Sequence, residues 1–193
     1  KIRWQNTSIS PYGIELGGNL EYNHDIFLIA QDTRFKSSQA LNSIGGNAFV
    51  RYPLVIKKAA GTHLLEPLGQ IAWGWRDQAK VSNDESSHPE FDMGNLIAIS
   101  RFAASDRYED GSHGAYGLRY SYETVKNYRF DLGLGKVLRL DSHYGFTDSS
   151  GLKDRQSENY ITGIITLPQN SYVSFQGLMD GKLRSKKSAL IGS

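Results

Sequence analysis

A chain of 193 residues with 22 basic and 20 acidic side chains, net charge +2 and pI near 8.7, lacks the charge surplus that gathers nucleic acid. With no cysteine, disulfide scaffolds, thiol catalysis and cysteine-ligated zinc are excluded. No apolar run approaches the ~20 residues of a membrane helix, and 11 Tyr and 20 Gly against 5 Pro favour strands and turns.

Lys1–Asn6 begins inside an apparent strand. From Gly13 to Asn23 the side chains alternate, with Ile14, Leu16, Leu20 and Tyr22 on one face and Glu15, Asn19, Glu21 and Asn23 on the other. Asn23-His24-Asp25 is read as a tight turn, Ile26–Thr33 as a strand and Arg34–Gly45 as a polar loop. Strands are expected at Gly46–Ile56 and Thr62–Arg76, joined by the short Lys57–Gly61, and a very long connection runs from Asp77 to His113. Alternation returns with Tyr116, Leu118, Tyr120 and Tyr122 against Arg119, Ser121 and Glu123. After the short Glu123–Asn127, Tyr128, Phe130, Leu132, Leu134 and Leu138 oppose Arg129, Asp131 and Arg139. Gly133 and Gly135 fall on the polar side of that strand, which suits a crowded interior. A long loop, Asp141–Glu158, precedes strands at Asn159–Leu167, Tyr172–Asp180 and Leu183–Ile191, with short turns at Pro168–Asn170 and Asp180–Lys182.

No segment carries a 3.6-residue apolar stripe, so the chain reads as all-β. Connections alternate short and long, as they do where periplasmic turns are short and extracellular loops long. A soluble β-sandwich alternates its side chains as well. Tyrosines near strand ends, and strands of about nine to eleven residues, favour an antiparallel transmembrane β-barrel. Hydrophobic residues at only 39% do not oppose this, because lipid-facing and lumen-facing positions average out polar. The expectation is a single domain over residues 1–193, contributing roughly nine to ten strands to a larger barrel. Asp77–His113 and Asp141–Glu158 should face the cell exterior, and Lys57–Gly61 and Glu123–Asn127 the periplasm.

Several segments stand out in order: Arg51-Tyr52-Pro53-Leu54, then His63-Leu64-Leu65-Glu66-Pro67, then a loop with Glu90-Phe91-Asp92-Met93-Gly94-Asn95-Leu96, Arg101-Phe102 and Asp106-Arg107. Gly117-Leu118-Arg119-Tyr120, Leu134–Arg139, Ser150-Gly151-Leu152 and Ser157-Glu158 follow. Each piece alone is unspecific, but in this order across Arg51–Glu158 they resemble the C-terminal barrel of the lipopolysaccharide (LPS)-assembly family LptD (OstA/Imp). Lys136 stands where the family has Gln, and Val137 and Ile97 replace aromatic positions. The resemblance singles out Pro53, Glu66, Pro67, Asp92, Asn95, Arg101, Phe102, Asp106 and Arg107. It implies a non-catalytic outer-membrane translocon of a Gram-negative bacterium that moves LPS to the outer leaflet. Its partners would be the lipoprotein LptE within the barrel and the periplasmic Lpt bridge, reached through an N-terminal domain outside this sequence.

Site chemistry is sparse. His24, His63, His88, His113 and His143 include no pair at i, i+4 ligand spacing, and Gly133-Leu134-Gly135 lacks the third glycine of a dinucleotide site. Asp84, Glu85, Glu90 and Asp92 could converge on a divalent cation, although such a run is more often a solvated loop. Glu15, Glu21, Arg119, Arg129, Asp131 and Arg139 are candidates for a polar lumen that guides phosphates and sugars or seats LptE. The reading favoured for any one of them is the plainer one, cross-strand pairs satisfying each other. No cofactor is implied. An outer-membrane enzyme would need a compact His/Asp/Ser set, which the sequence does not display, and a soluble binding sandwich is the other alternative.

Overall fold

Alternating apolar and polar residues organise a single antiparallel sheet. The computed structural model describes residues 1–30, 33–77, 91–102, 106–140, 146–169, 171–182 and 184–192. In chain order the strands are β1 (Ile2–Ile9), β2 (Glu15–Leu28), β3 (Ser38–Arg51), β4 (Leu54–Lys58), β5 (Gly61–Arg76), β6 (Gly111–Thr124), β7 (Arg129–Arg139), β8 (Asn159–Thr166), β9 (Tyr172–Met179) and β10 (Ser185–Gly192). A 3-10 turn at Asp148–Ser150 is the one helical element among the described residues. Neighbours in sequence are neighbours in the sheet, and β4 extends the β3 ladder on β5. Among the described residues β1 and β10 do not pair, so the sheet has two open edges.

Three expected boundaries are corrected. Asn23-His24-Asp25 is no turn but the middle of β2, paired in register with Ser43, Asn42 and Leu41. Asn23 donates to Ser43 Oγ at 3.0 Å, and His24 Nδ1 lies 2.8 Å from Asn42 Oδ1. These side chains favour turns by bonding locally, and here cross-strand partners take their place. The loop expected over Arg34–Gly45 ends by Ser38, where β3 starts. Gly46–Ile56 is interrupted at Tyr52-Pro53. The ladder resumes in unchanged register, with Arg51 opposite Leu68 and Leu54 opposite Leu65. Tyr52 N–H donates to Pro67 O at 3.0 Å. The two proline motifs therefore face each other across one ladder, and neither proline has an N–H to give. Strand lengths fall on both sides of the expectation, because β2, β3 and β6 have 14 residues and β5 has 16, whereas β1, β8, β9 and β10 have 8.

The assigned faces hold. In β2 Glu21 and Asn23 are buried while Leu16, Leu20 and Tyr22 are exposed; in β7 Gly133, Gly135, Val137 and Arg139 are buried while Leu134 and Leu138 are exposed. One face, here called inner, is covered by the connection between β5 and β6. Its described part folds back over the sheet and brings Phe91, Leu96 and Phe102 against Leu68, Ala115, Val137, Tyr160 and Leu178. Phe146 and Leu152, from the connection between β7 and β8, complete this core. The inner glycines are the condition for that approach. A Cβ on Gly117 would lie 2.5 Å from Leu96 Cδ2, and one on Gly135 2.9 Å from the same atom. At the other end of the sheet, Asn127 takes φ 61° in the tight turn between β6 and β7 and donates to Thr124 O at 3.0 Å.

Candidate functional site

Where the folded-back connection meets the inner face, charge is buried in pairs. Glu109, just before β6, is fully enclosed. Its Oε2 accepts from Arg101 Nη1 at 2.8 Å, and its Oε1 accepts from Arg139 Nε at 2.9 Å and faces Arg139 Nη2 at 2.7 Å. His113 Nδ1, on the inner face of β6, is 3.7 Å from Oε1. Both guanidiniums also hold backbone: Arg101 donates to Leu96 O at 2.9 Å and Arg139 to Leu152 O at 2.7 Å. Arg139 lies over the Phe146 ring at 4.7 Å, and Phe146 stacks on Phe102 at 4.5 Å. One carboxylate thereby ties both long connections to the sheet.

Beside it, an amide ladder crosses three strands. Asn19 Nδ2 donates to Asn47 Oδ1 at 2.7 Å, and Asn47 Nδ2 donates to Gln70 Oε1 at 2.7 Å and to Ile97 O at 3.0 Å. Gln70 Nε2 donates to Ala98 O at 2.9 Å. Tyr108 donates its hydroxyl to Glu21 Oε1 at 2.9 Å, while Lys1 and Arg3 approach Glu21 Oε2 at 3.2 and 3.4 Å. The backbone carbonyls of 96–98 thus receive donors from the sheet, as buried acceptors require.

All six charged residues singled out from the alternation lie on this inner face. Glu21 and Arg139 join the buried network. Arg119 bridges to Glu66 at 3.5 Å and donates to Met93 O at 2.8 Å. Arg129 pairs with Asp131 at 2.8 Å, and Asp131 also accepts the Ser121 hydroxyl, well away from Glu109 along β7. Glu15 sits opposite Arg51 in the register of β2 and β3.

Of the motif residues, Pro53, Glu66 and Pro67 belong to the interrupted ladder. Asp92 and Asn95 close a reciprocal turn, in which each side-chain oxygen accepts the other's backbone N–H at 2.8 and 3.1 Å. Phe102 and Asp106 are buried, Arg107 is half-buried, and Asp106 O accepts from Arg76 Nη1 at 3.2 Å. Asp84, Glu85, Glu90, His88 and His143 lie outside the described residues, and among the described residues no three potential ligands gather for a metal. Sequence reasoning missed Glu109, Tyr108, His113, Asn47 and Gln70. The amide ladder leaves a trace in the pattern, an Asn or Gln at an inner position of consecutive strands. Glu109 leaves none.

Burial would push the Glu109 carboxyl up, but Arg101, His113 and Arg139 more than offset this and hold it down at about 2 against an ordinary 4.5. Tyr108 is pushed up, first by burial and then by Glu21, so it remains a neutral donor. Because the Glu109 carboxyl is lowered in the fold, the stability it adds is complete above about pH 4.5 and is lost as pH falls toward 2. Hydrogen exchange of the amides at 95–102, corrected for intrinsic rates, should show constant protection from about pH 8 to 5 and a decline below about 4.5. Protection lost already between pH 8 and 5 would contradict this assignment. The network holds and orients backbone, with the one Glu109 carboxylate shared between two guanidiniums. No curated protein matches the chain, whereas a family model does: LptD, LPS transport system D, over residues 2–179.

Proposed function

The chain belongs to the LptD family, LPS transport system D, and on that premise we propose that its sheet is one wall of the family's C-terminal outer-membrane barrel. LptD is a transport and assembly family, not an enzyme family, and it gives the chain a role in LPS transport. The finer reading is that the complete barrel, with LptE inside it, delivers LPS to the outer leaflet, receiving it from the periplasmic bridge through a separate N-terminal domain. The inner face is then the lumen wall, and the folded-back connection narrows the lumen from within.

One observation carries the reading. The face opposite the folded-back connection is apolar from strand to strand: Trp4, Leu20, Ile44, Trp73, Tyr116, Leu134 and Phe175 all lie exposed on it. Among the described residues of the strands, no Asp, Glu or Arg occupies this register. Such a surface in water far exceeds the few hundred Å² a monomer usually exposes. In a bilayer it is the lipid-facing side of a barrel, with its aromatics as interface anchors. A soluble sandwich would need a second sheet over this face; the described residues supply none.

Sidedness tests the proposal. The connections 77–110 and 140–158 leave the sheet at one end, and 125–128 leaves at the other. In the full-length protein, with other cysteines replaced, Asp154→Cys should react with an impermeant maleimide on intact cells and Lys126→Cys should not. Labelling at 126 with protection at 154 would reverse the topology.

A further inference from the structure

The apolar outer face carries an isolated charge. Within the described strands, leaving aside the bulge at Lys186, which pairs with Glu158, the cations in the outward register are Lys58, the last residue of β4, and Lys136, inside β7. Lys136 is half-buried and has no hydrogen bond or ion pair among the described residues. It lines a groove of about 340 Å³ together with Tyr116, Leu118, Leu134, Asn159 and Ile161. The groove lies where the β7–β8 ladder stops, at Gly135 opposite Tyr160.

Its height on the wall matters. Seven residues of strand separate Arg129 from Lys136, roughly 23 Å of chain, or about 17 Å of height at barrel tilt. Tyr128 and Tyr122 lie at the short-turn end as the lower interface, so Lys136 stands in the upper half of the hydrocarbon, toward the long connections. A lysine there extends its ammonium to the headgroup level of the leaflet on that side. With no carboxylate beside it among the described residues, the ammonium is placed to meet an anion of that leaflet.

We propose that Lys136 and this groove form an outward-facing site for an anionic phospho-lipid, with a headgroup phosphate on the ammonium and an acyl chain against Tyr116, Leu118, Leu134 and Ile161. The inference rests on the lipid-facing reading of this surface. Site and surface are tested separately by placing benzoylphenylalanine at Tyr116 in the full-length protein, reconstituting it in vesicles of mixed phosphatidylglycerol and phosphatidylcholine, and measuring the lipid adducts formed on illumination. The expected result is enrichment of phosphatidylglycerol adducts by about fivefold over the bulk ratio, the strength of one basic residue at an anionic surface. That enrichment should vanish in Lys136→Gln and persist in Lys58→Gln. Adducts at the bulk ratio in the unsubstituted protein would overturn the site and leave the lipid-facing surface standing. Absence of any lipid adduct would overturn the surface reading itself. Enrichment abolished by free inorganic phosphate would assign Lys136 to a soluble anion and also overturn the lipid site.

Discussion

Glu109→Ala is expected to release the folded-back connection at a cost of about 3–5 kcal/mol, the effect of removing one partner from a buried ion pair. The magnitude follows from what is left behind. Arg101 and Arg139 both lose their carboxylate in a site where Glu109 is fully enclosed. Arg101 also fixes Leu96 O, and Leu96 fills the space kept open by Gly117 and Gly135, so loosening the charge loosens the core. Thermal unfolding in detergent, with hydrogen exchange at 95–102, should show the connection melting at a lower temperature than the strands. Glu109→Gln should behave nearly as badly, since it keeps the shape and loses the charge. The triple change Arg101→Met, Glu109→Leu, Arg139→Met should recover part of the loss, because the desolvation cost of three charges goes with them. A Glu109→Ala protein as stable as the parent would show that the network contributes little.

Leu132→Arg is expected to cost up to about 2–4 kcal/mol by placing a charge on the lipid side, three residues into β7 from its short-turn end. Leu132 is opposite Tyr120 on one side and Gly163 on the other, all in the outward register. Ser121→Arg turns to the inner face, beside Asp131, and should be far milder. Assembly yield and heat-modifiable gel migration of the full-length protein report the difference. Equal sensitivity at the two positions would contradict the assignment of faces to lipid and lumen.

The two expectations differ in how far the sequence supports them. The face of Leu132 follows from period-two patterning over Tyr128–Arg139, which survives because every residue from Arg129 to Arg139 has a ladder partner. The crowded interior was legible too, in Gly133 and Gly135, although not that Met93 and Leu96 are what crowd it. Asn23-His24-Asp25 misled because the same side chains that cap turns can bond across strands, and only the register of β2 on β3 decides between these uses. The buried cluster was beyond reach. Arg139 belongs to the inner face by its parity, but its partner Glu109 is 30 residues away in a connection without periodicity, brought back by apolar burial of Phe91, Leu96 and Phe102. Ordered motif fragments, by contrast, identify a family without explaining its contacts. Pro53 and Pro67 acquire a physical meaning once their ladder is seen.

The central claim is that this sheet is a wall needing further strands to close, since β1 and β10 leave their outer edges unpaired among the described residues. Unpaired backbone groups in hydrocarbon cost several kcal/mol each, so such a wall is not stable alone in a bilayer. Refolding the 193-residue chain in detergent and measuring its mass by light scattering is the direct test. The account predicts aggregates or a heterogeneous oligomer, with no LPS transport. A clean monomer with one sharp cooperative transition would mean that β1 and β10 close on each other, and the larger barrel would be contradicted.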